Sequence, residues 1–124
     1  MTKRIMVLAV CVAALGSMSS ARAADCVLHV KRIACAGQEA ESYKKCDGKQ
    51  ECDEMKDAAT SAAACRTEAQ SACANSRPMI TKYKSVSSTY KGATLTGGFT
   101  GDGAADAAGP NFCSNKQPDF NQCK

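Results

Sequence analysis

The sequence predicts a mainly α fold: a small disulfide-stapled antiparallel helical hairpin with a short β or irregular C-terminal segment. Three observations carry that expectation. An alanine-rich run from about Gln50 to Ala74 has high helix propensity and is closed by Pro78. The stretch Gln38 to Cys46 places Glu39 and Glu41 first and Lys44 and Lys45 last, the order the helix dipole favours. Three pairs of cysteines lie at nearly mirrored distances on either side of Gly48-Lys49.

Taken in chain order, residues 1–23 come first. Lys3 and Arg4 give a basic start, Ile5 to Leu15 is an unbroken apolar run of 11 residues, and Ala21-Arg22-Ala23 supplies a small-x-small site. The run is shorter than the ~20 residues a membrane span needs. Together these features read as a bacterial secretory signal peptide, cleaved after Ala23. Cys11 follows the bulky Val10 and does not suit a lipid-modified cysteine. The expected location is therefore periplasmic or secreted, with no transmembrane helix in the mature chain.

Processing changes the arithmetic. The chain has nine cysteines, and loss of Cys11 leaves eight. Loss of Lys3, Arg4 and Arg22 reduces 16 basic residues to 13, against 12 acidic ones. The formal charge falls from +4 to +1, which removes the argument for a nucleic-acid partner.

The mature chain holds only ten Leu, Ile, Val or Phe residues: Val27, Leu28, Val30, Ile33, Ile80, Val86, Leu95, Phe99, Phe112 and Phe120. A core this thin struggles against backbone ordering at ~1–2 kcal/mol per residue. Disulfides, at nominally ~2–4 kcal/mol each, are the expected remedy in an exported chain. Metal is the competing use of cysteine. No Cys-x-x-Cys occurs, and the single histidine, His29, has no evident partner. Neither metal nor cofactor is expected.

Residues 24–77 form the predicted hairpin, with Val27 to Ile33 fitting helix or strand almost equally. One helix covers Gln38 to Cys46, Asp47-Gly48 stops it, and the second runs from Gln50 to Ala74. Folding back at Gly48-Lys49 pairs Cys46 with Cys52, Cys35 with Cys65 and Cys26 with Cys73. Cys113 and Cys123 remain for each other. Cys26 lies half a helical turn out of phase with Cys35, which a kink at Gly37 must absorb. The spacings do not fit the twin Cys-x9-Cys motif of helical-hairpin proteins, and nothing is carried over from that family.

Residues 78–124 change character. Ile80 to Thr96 is rich in Thr, Ser, Tyr and Val and reads as one or two short strands, turning near Ser87-Ser88 or at Lys91-Gly92. Gly97 to Pro110 is a Gly/Ala-rich loop, followed by an irregular tail with Asn111, Asn115 and Pro118.

Chemical motifs are sparse. Gly101-Asp102-Gly103 lacks the Gly-Lys-Ser/Thr of a phosphate loop, and Asp102 with Asp106 falls short of a calcium ladder. Glu39 and Glu41 diverge on a helix, and no base accompanies a Ser or Cys nucleophile. Met55 and Met79 read as packing residues. Lys82, Tyr83, Lys84, Tyr90 and Lys91 interleave charge with aromatic surface and form a possible binding surface, set against an edge strand guarded by lysines. The expected role is non-enzymatic: binding, accessory or envelope-structural, with a periplasmic or extracellular protein or glycan as partner. The alternatives are a thiolate metal-handling protein, and an inhibitor or enzyme with its site in residues 92–112.

Overall fold

The computed structural model describes residues 24–114 and 121–124. The export-signal reading of residues 1–23, and Asn115, Pro118 and Phe120, lie outside them.

The helical hairpin is not what forms. The chain builds a four-stranded antiparallel sheet in the order β2-β1-β3-β4, from β1 (Cys26–Ala34), β2 (Glu51–Met55), β3 (Thr81–Tyr90) and β4 (Ala93–Thr94). A one-turn helix α1 (Glu39–Ser42) and a 3-10 turn (Lys44–Cys46) connect β1 to β2. The one substantial helix among the described residues, α2 (Ala62–Ala74), connects β2 to β3 and packs on one face of the sheet. Among the described residues, no helix is long and apolar enough to cross a membrane.

Period-two alternation explains β1. Cys26, Leu28, Val30 and Arg32 are buried, while Val27, His29, Lys31 and Ile33 face the other way. Three β-branched residues, Val27, Val30 and Ile33, favour the pleated surface. β2 has poor strand propensity, so its partner decides its conformation. The register sets Lys31 opposite Glu51 and His29 opposite Asp53. His29 Nδ1 lies 2.8 Å from Asp53 Oδ1, and Lys31 Nζ lies 3.7 Å from Glu51. The acids of β2 thus complement the basic strand beside them.

The span predicted as a second helix thus divides into strand β2, a connecting turn and helix α2. Its C-terminal half stands as α2, with Ser61 as N-cap accepting from the Ala64 N–H at 3.0 Å. Alanines and cysteines on its inner face let it sit close to the sheet. Ala69 and Cys65 are fully buried against Leu28, Val30 and Val86, and Leu95 and Phe112 complete the cluster. Met55 and Met79, read as packing residues, are instead more than half exposed (54% and 57%).

β3 lies within the expected strand region, and the turn falls at Lys91-Gly92. Both residues have positive φ (51° and 80°), the combination a tight two-residue hairpin needs, and Gly92 adopts it without strain. Residues 97–110 fold back on themselves, with Phe99 bridging to Ala105 and Asn111. A Cβ on Gly98 would overlap the Asn111 carbonyl, so only glycine permits this approach.

All eight described cysteines are paired: Cys26–Cys65, Cys35–Cys123, Cys46–Cys52 and Cys73–Cys113. Cys46–Cys52 is the pair the mirrored spacing gave. The pairs Cys26–Cys73, Cys35–Cys65 and Cys113–Cys123 do not form. Mirrored spacing constrains two helices in register, but β1 rises about 3.3 Å per residue and α2 about 1.5 Å. Cys26 therefore meets the start of α2 at Cys65. The end of α2, at Cys73, is left for Cys113. Four disulfides fit an oxidising compartment outside the cytosol.

Among the described residues, one buried side-chain group lacks a partner. Ser88 is 1% exposed, and its hydroxyl finds no hydrogen bond among the described residues. An unsatisfied buried hydroxyl costs ~1–3 kcal/mol. Ser88→Ala is accordingly expected to stabilise the fold by about 1 kcal/mol, raising the thermal midpoint by several degrees. Calorimetric melts of the two oxidised proteins measure this. A lower midpoint for the variant contradicts it.

Candidate functional site

The register of the two central strands produces an unusual pair. Arg32 on β1 lies directly opposite Lys84 on β3, on the face that carries the core. Like charges in this position repel. One residue further along, the pairing slips: Ile33 meets Tyr83, whereas Ala34 meets Thr81. The irregularity at Lys82 ends the regular ladder beside the two cations, the position where a bulge re-aims side chains.

Arg32 is 5% exposed. Its Nη1 donates to Cys46 Sγ at 3.1 Å, and its Nη2 lies 3.6 Å from Glu54 Oε1. A thioether-like sulfur is a weak acceptor, and this ion pair is longer than a bidentate one. Glu54 also reaches Lys56 at 3.6 Å.

Lys84 reaches across to the end of α2. Its ammonium donates to the carbonyls of Ala72 at 2.8 Å and Asn75 at 2.6 Å. Those carbonyls have lost their helical donors, and the helix dipole favours a cation there. Burial pushes the Lys84 ammonium down to about 8, with Arg32 and Lys45 pushing the same way and Glu54 opposing them.

A cleft of about 240 Å³ opens over this pair. Arg32 and Lys84 form its floor. Lys45 and Ser42 come from the connection between β1 and β2, Ser76 and Arg77 from the turn after α2, and Ser114 and Gln122 from the C-terminal segments. Among the described residues lining it, four are cations and none is a carboxylate. Ser42 and Thr81, both buried, share a hydrogen bond of 2.7 Å between their hydroxyls. Arg77 is steadied from outside, donating to the Glu41 carbonyl at 2.9 Å and lying 3.5 Å from its carboxylate. A smaller hollow of about 150 Å³ shares Arg32, Lys45, Asn75 and Lys84, and there Glu54 and Glu68 enter the wall.

Two disulfides tie the cleft together. Cys73–Cys113 holds the end of α2 to the segment bearing Ser114, and Cys73 itself lines the cleft. Cys35–Cys123 holds the end of β1 to the segment bearing Gln122.

Of the residues expected to form a binding surface, only Lys84 lines this cleft. Lys82 lies at the irregularity in β3, and its carbonyl accepts from the Gln122 N–H. Tyr83 pairs with Ile33 on the opposite face of the sheet. Tyr90 packs against the core and donates its hydroxyl to the Thr60 carbonyl at 2.8 Å, with the Lys91 ammonium 5.7 Å from its ring centre. The five residues therefore occupy four separate places. Arg32, Lys45 and Arg77 were missed. The signal for Arg32 was its even-numbered place in the alternation with Leu28 and Val30.

The other expected sites also find their places. His29 lies on the open face of the sheet, where Asp53 first and then Glu51 raise its affinity for a proton against a smaller opposing effect of burial. Asp102 accepts from the Thr100 hydroxyl and the Ala104 N–H, which hold its carboxyl below the usual range. Asp106 accepts from the Ala108 N–H. Both carboxylates thus shape their own loop. Among the described residues, no group of three or more His, Cys, Asp or Glu side chains is placed to hold a metal ion. The described cysteines are disulfides rather than thiolates, which removes the donors a thiolate metal site requires. Comparison with protein-family models, curated proteins and solved structures finds no match to this chain.

Proposed function

We propose that this chain acts by binding rather than catalysis, as an exported, disulfide-locked protein that takes an anionic ligand into its basic cleft. The observation that carries this reading is the lining: Arg32, Lys45, Arg77 and Lys84 from four separate parts of the chain, with no carboxylate among the described lining residues. Burying like charges side by side costs stability, and an anion between them offsets that cost. A non-catalytic role is supported by His29. The chain's single imidazole lies on the opposite face of the sheet, away from the hydroxyls of Ser42 and Thr81. A periplasmic or extracellular glycan or protein carrying acidic groups is the matching class of partner.

The test is a thermal-shift series on the oxidised protein at constant ionic strength. Citrate, phosphate and sulfate stand for anions, glucose for neutral ligands and spermidine for cations. Anions are expected to raise the midpoint, and Lys45→Ala with Arg77→Ala to abolish most of that rise. Stabilisation by glucose or spermidine alone contradicts the reading, as does an anion effect that survives both substitutions.

A further inference from the structure

We infer that Cys46–Cys52 is a redox-active disulfide, opened by an external dithiol that attacks Cys52 and expels Cys46 as a thiolate beside Arg32. The ground is the contact between Arg32 and Cys46. Arg32 is buried, and its Nη1 donates to Cys46 Sγ at 3.1 Å, while Nη2 lies 3.6 Å from Glu54. A buried guanidinium gains little from a disulfide sulfur, which is a weak acceptor. It gains more from a thiolate, which turns the same contact into a charge-assisted hydrogen bond. The interaction is therefore stronger in the reduced protein than in the oxidised one, and that difference draws the equilibrium toward reduction. Lys45 precedes Cys46 in the chain and lines the same hollow as Arg32, adding a second cation; Glu54 opposes both.

Burial sets the direction of attack. Cys46 is 3% exposed, whereas Cys52 is only partly buried and lies on β2, an edge strand of the sheet. An incoming thiolate reaches Cys52 Sγ and bonds to it. The Cys46–Cys52 bond breaks, and its electron pair leaves on Cys46 Sγ beside Arg32. A stabilised leaving thiolate speeds this step. The second thiolate of the reductant then attacks its own sulfur in the mixed disulfide, and Cys52 departs. Two electrons pass from the dithiol to the bridge. Of the dithiol's two protons, one goes to Cys52 and the other to water.

The fold is built to survive the opening. The bridge joins cysteines 6 residues apart, against 39, 40 and 88 for the others, so it restrains the unfolded chain least. Backbone hydrogen bonds also hold its turn: Gly48 N–H to the Tyr43 carbonyl at 3.0 Å, Lys49 N–H to the Cys46 carbonyl at 3.0 Å, and Arg32 N–H to the Gln50 carbonyl at 2.8 Å.

The experiment is graded reduction of the oxidised protein with dithiothreitol at fixed pH, the freed thiols being trapped with iodoacetamide and mapped by mass spectrometry. Cys46 and Cys52 are expected to be alkylated first, with the other three bridges intact and the circular dichroism of the sheet retained. Another bridge opening first, or all four opening together, overturns the inference. Brief exposure to glutathione, quenched in acid, is expected to leave the tripeptide on Cys52; glutathione on Cys46 overturns the direction of attack. In a dithiothreitol redox buffer, Arg32→Met is expected to lower the equilibrium constant for reducing this bridge by about tenfold or more, the loss of one charge-assisted hydrogen bond. Arg32→Lys is expected to recover part of that loss. An unchanged constant in Arg32→Met overturns the role of the guanidinium. Should Arg32→Met fail to fold, the order of opening and the site of glutathione attachment in the wild type still decide the matter.

Discussion

Replacing Cys26 and Cys65 together by alanine is expected to cost about 4 kcal/mol, enough to abolish cooperative folding at 37 °C. The bridge closes a loop of 39 residues, for which chain-entropy arguments give a loss of that size. Both sulfurs are also fully buried in the core beside Leu28 and Ala69, so their removal leaves a void as well. The apolar cluster is too small to absorb the loss. Removing Cys46 and Cys52 instead opens a loop of only 6 residues and is expected to cost about 2 kcal/mol. Denaturant titrations followed by circular dichroism rank the two. Equal costs, or a larger cost for the short loop, contradict the account.

Glu54→Gln is expected to cost about 2–3 kcal/mol. Among the described residues, Glu54 is the carboxylate in an ion pair with the buried Arg32, and without it the guanidinium is left beside Lys84 and Lys45. The cost of breaking a buried pair comes mainly from the charge left behind. Glu54 keeps 27% side-chain exposure, which places the estimate below the ~3–5 kcal/mol of fully enclosed pairs. The loss carries a further signature. Added sulfate is expected to recover more stability in the variant than in the wild type, because an anion in the cleft replaces the missing charge. Denaturant midpoints in chloride and in sulfate, at equal ionic strength, measure it. A variant as stable as the wild type in chloride counts against a buried, charged Arg32.

What was legible in the sequence follows from physics that is local. The thin apolar content required cross-links whatever the fold. The stretch from Ile80 and the Lys91-Gly92 turn carried their own strand and turn chemistry, and Pro78 bounded α2. What was not legible depends on partners distant in sequence. Glu51 to Met55 has the composition of a helix start, and only the basic residues of β1 make it a strand. The alanines from Ala58 onward suit a helix on a sheet as well as a helix on a helix. Once β1 was left undecided, Arg32 lost its place on the buried face. With it went the cleft, of which Lys84 alone was anticipated.

That cleft exists because two disulfides bring its walls together: Cys35–Cys123 carries Gln122 to the end of β1, and Cys73–Cys113 carries Ser114 to the end of α2. Proteolysis of the unreduced protein under acidic conditions, followed by mass spectrometry of the linked peptides, tests this directly. The account predicts Cys26–Cys65, Cys35–Cys123, Cys46–Cys52 and Cys73–Cys113. Peptides linking Cys113 to Cys123, with Cys26 joined to Cys73, would contradict it.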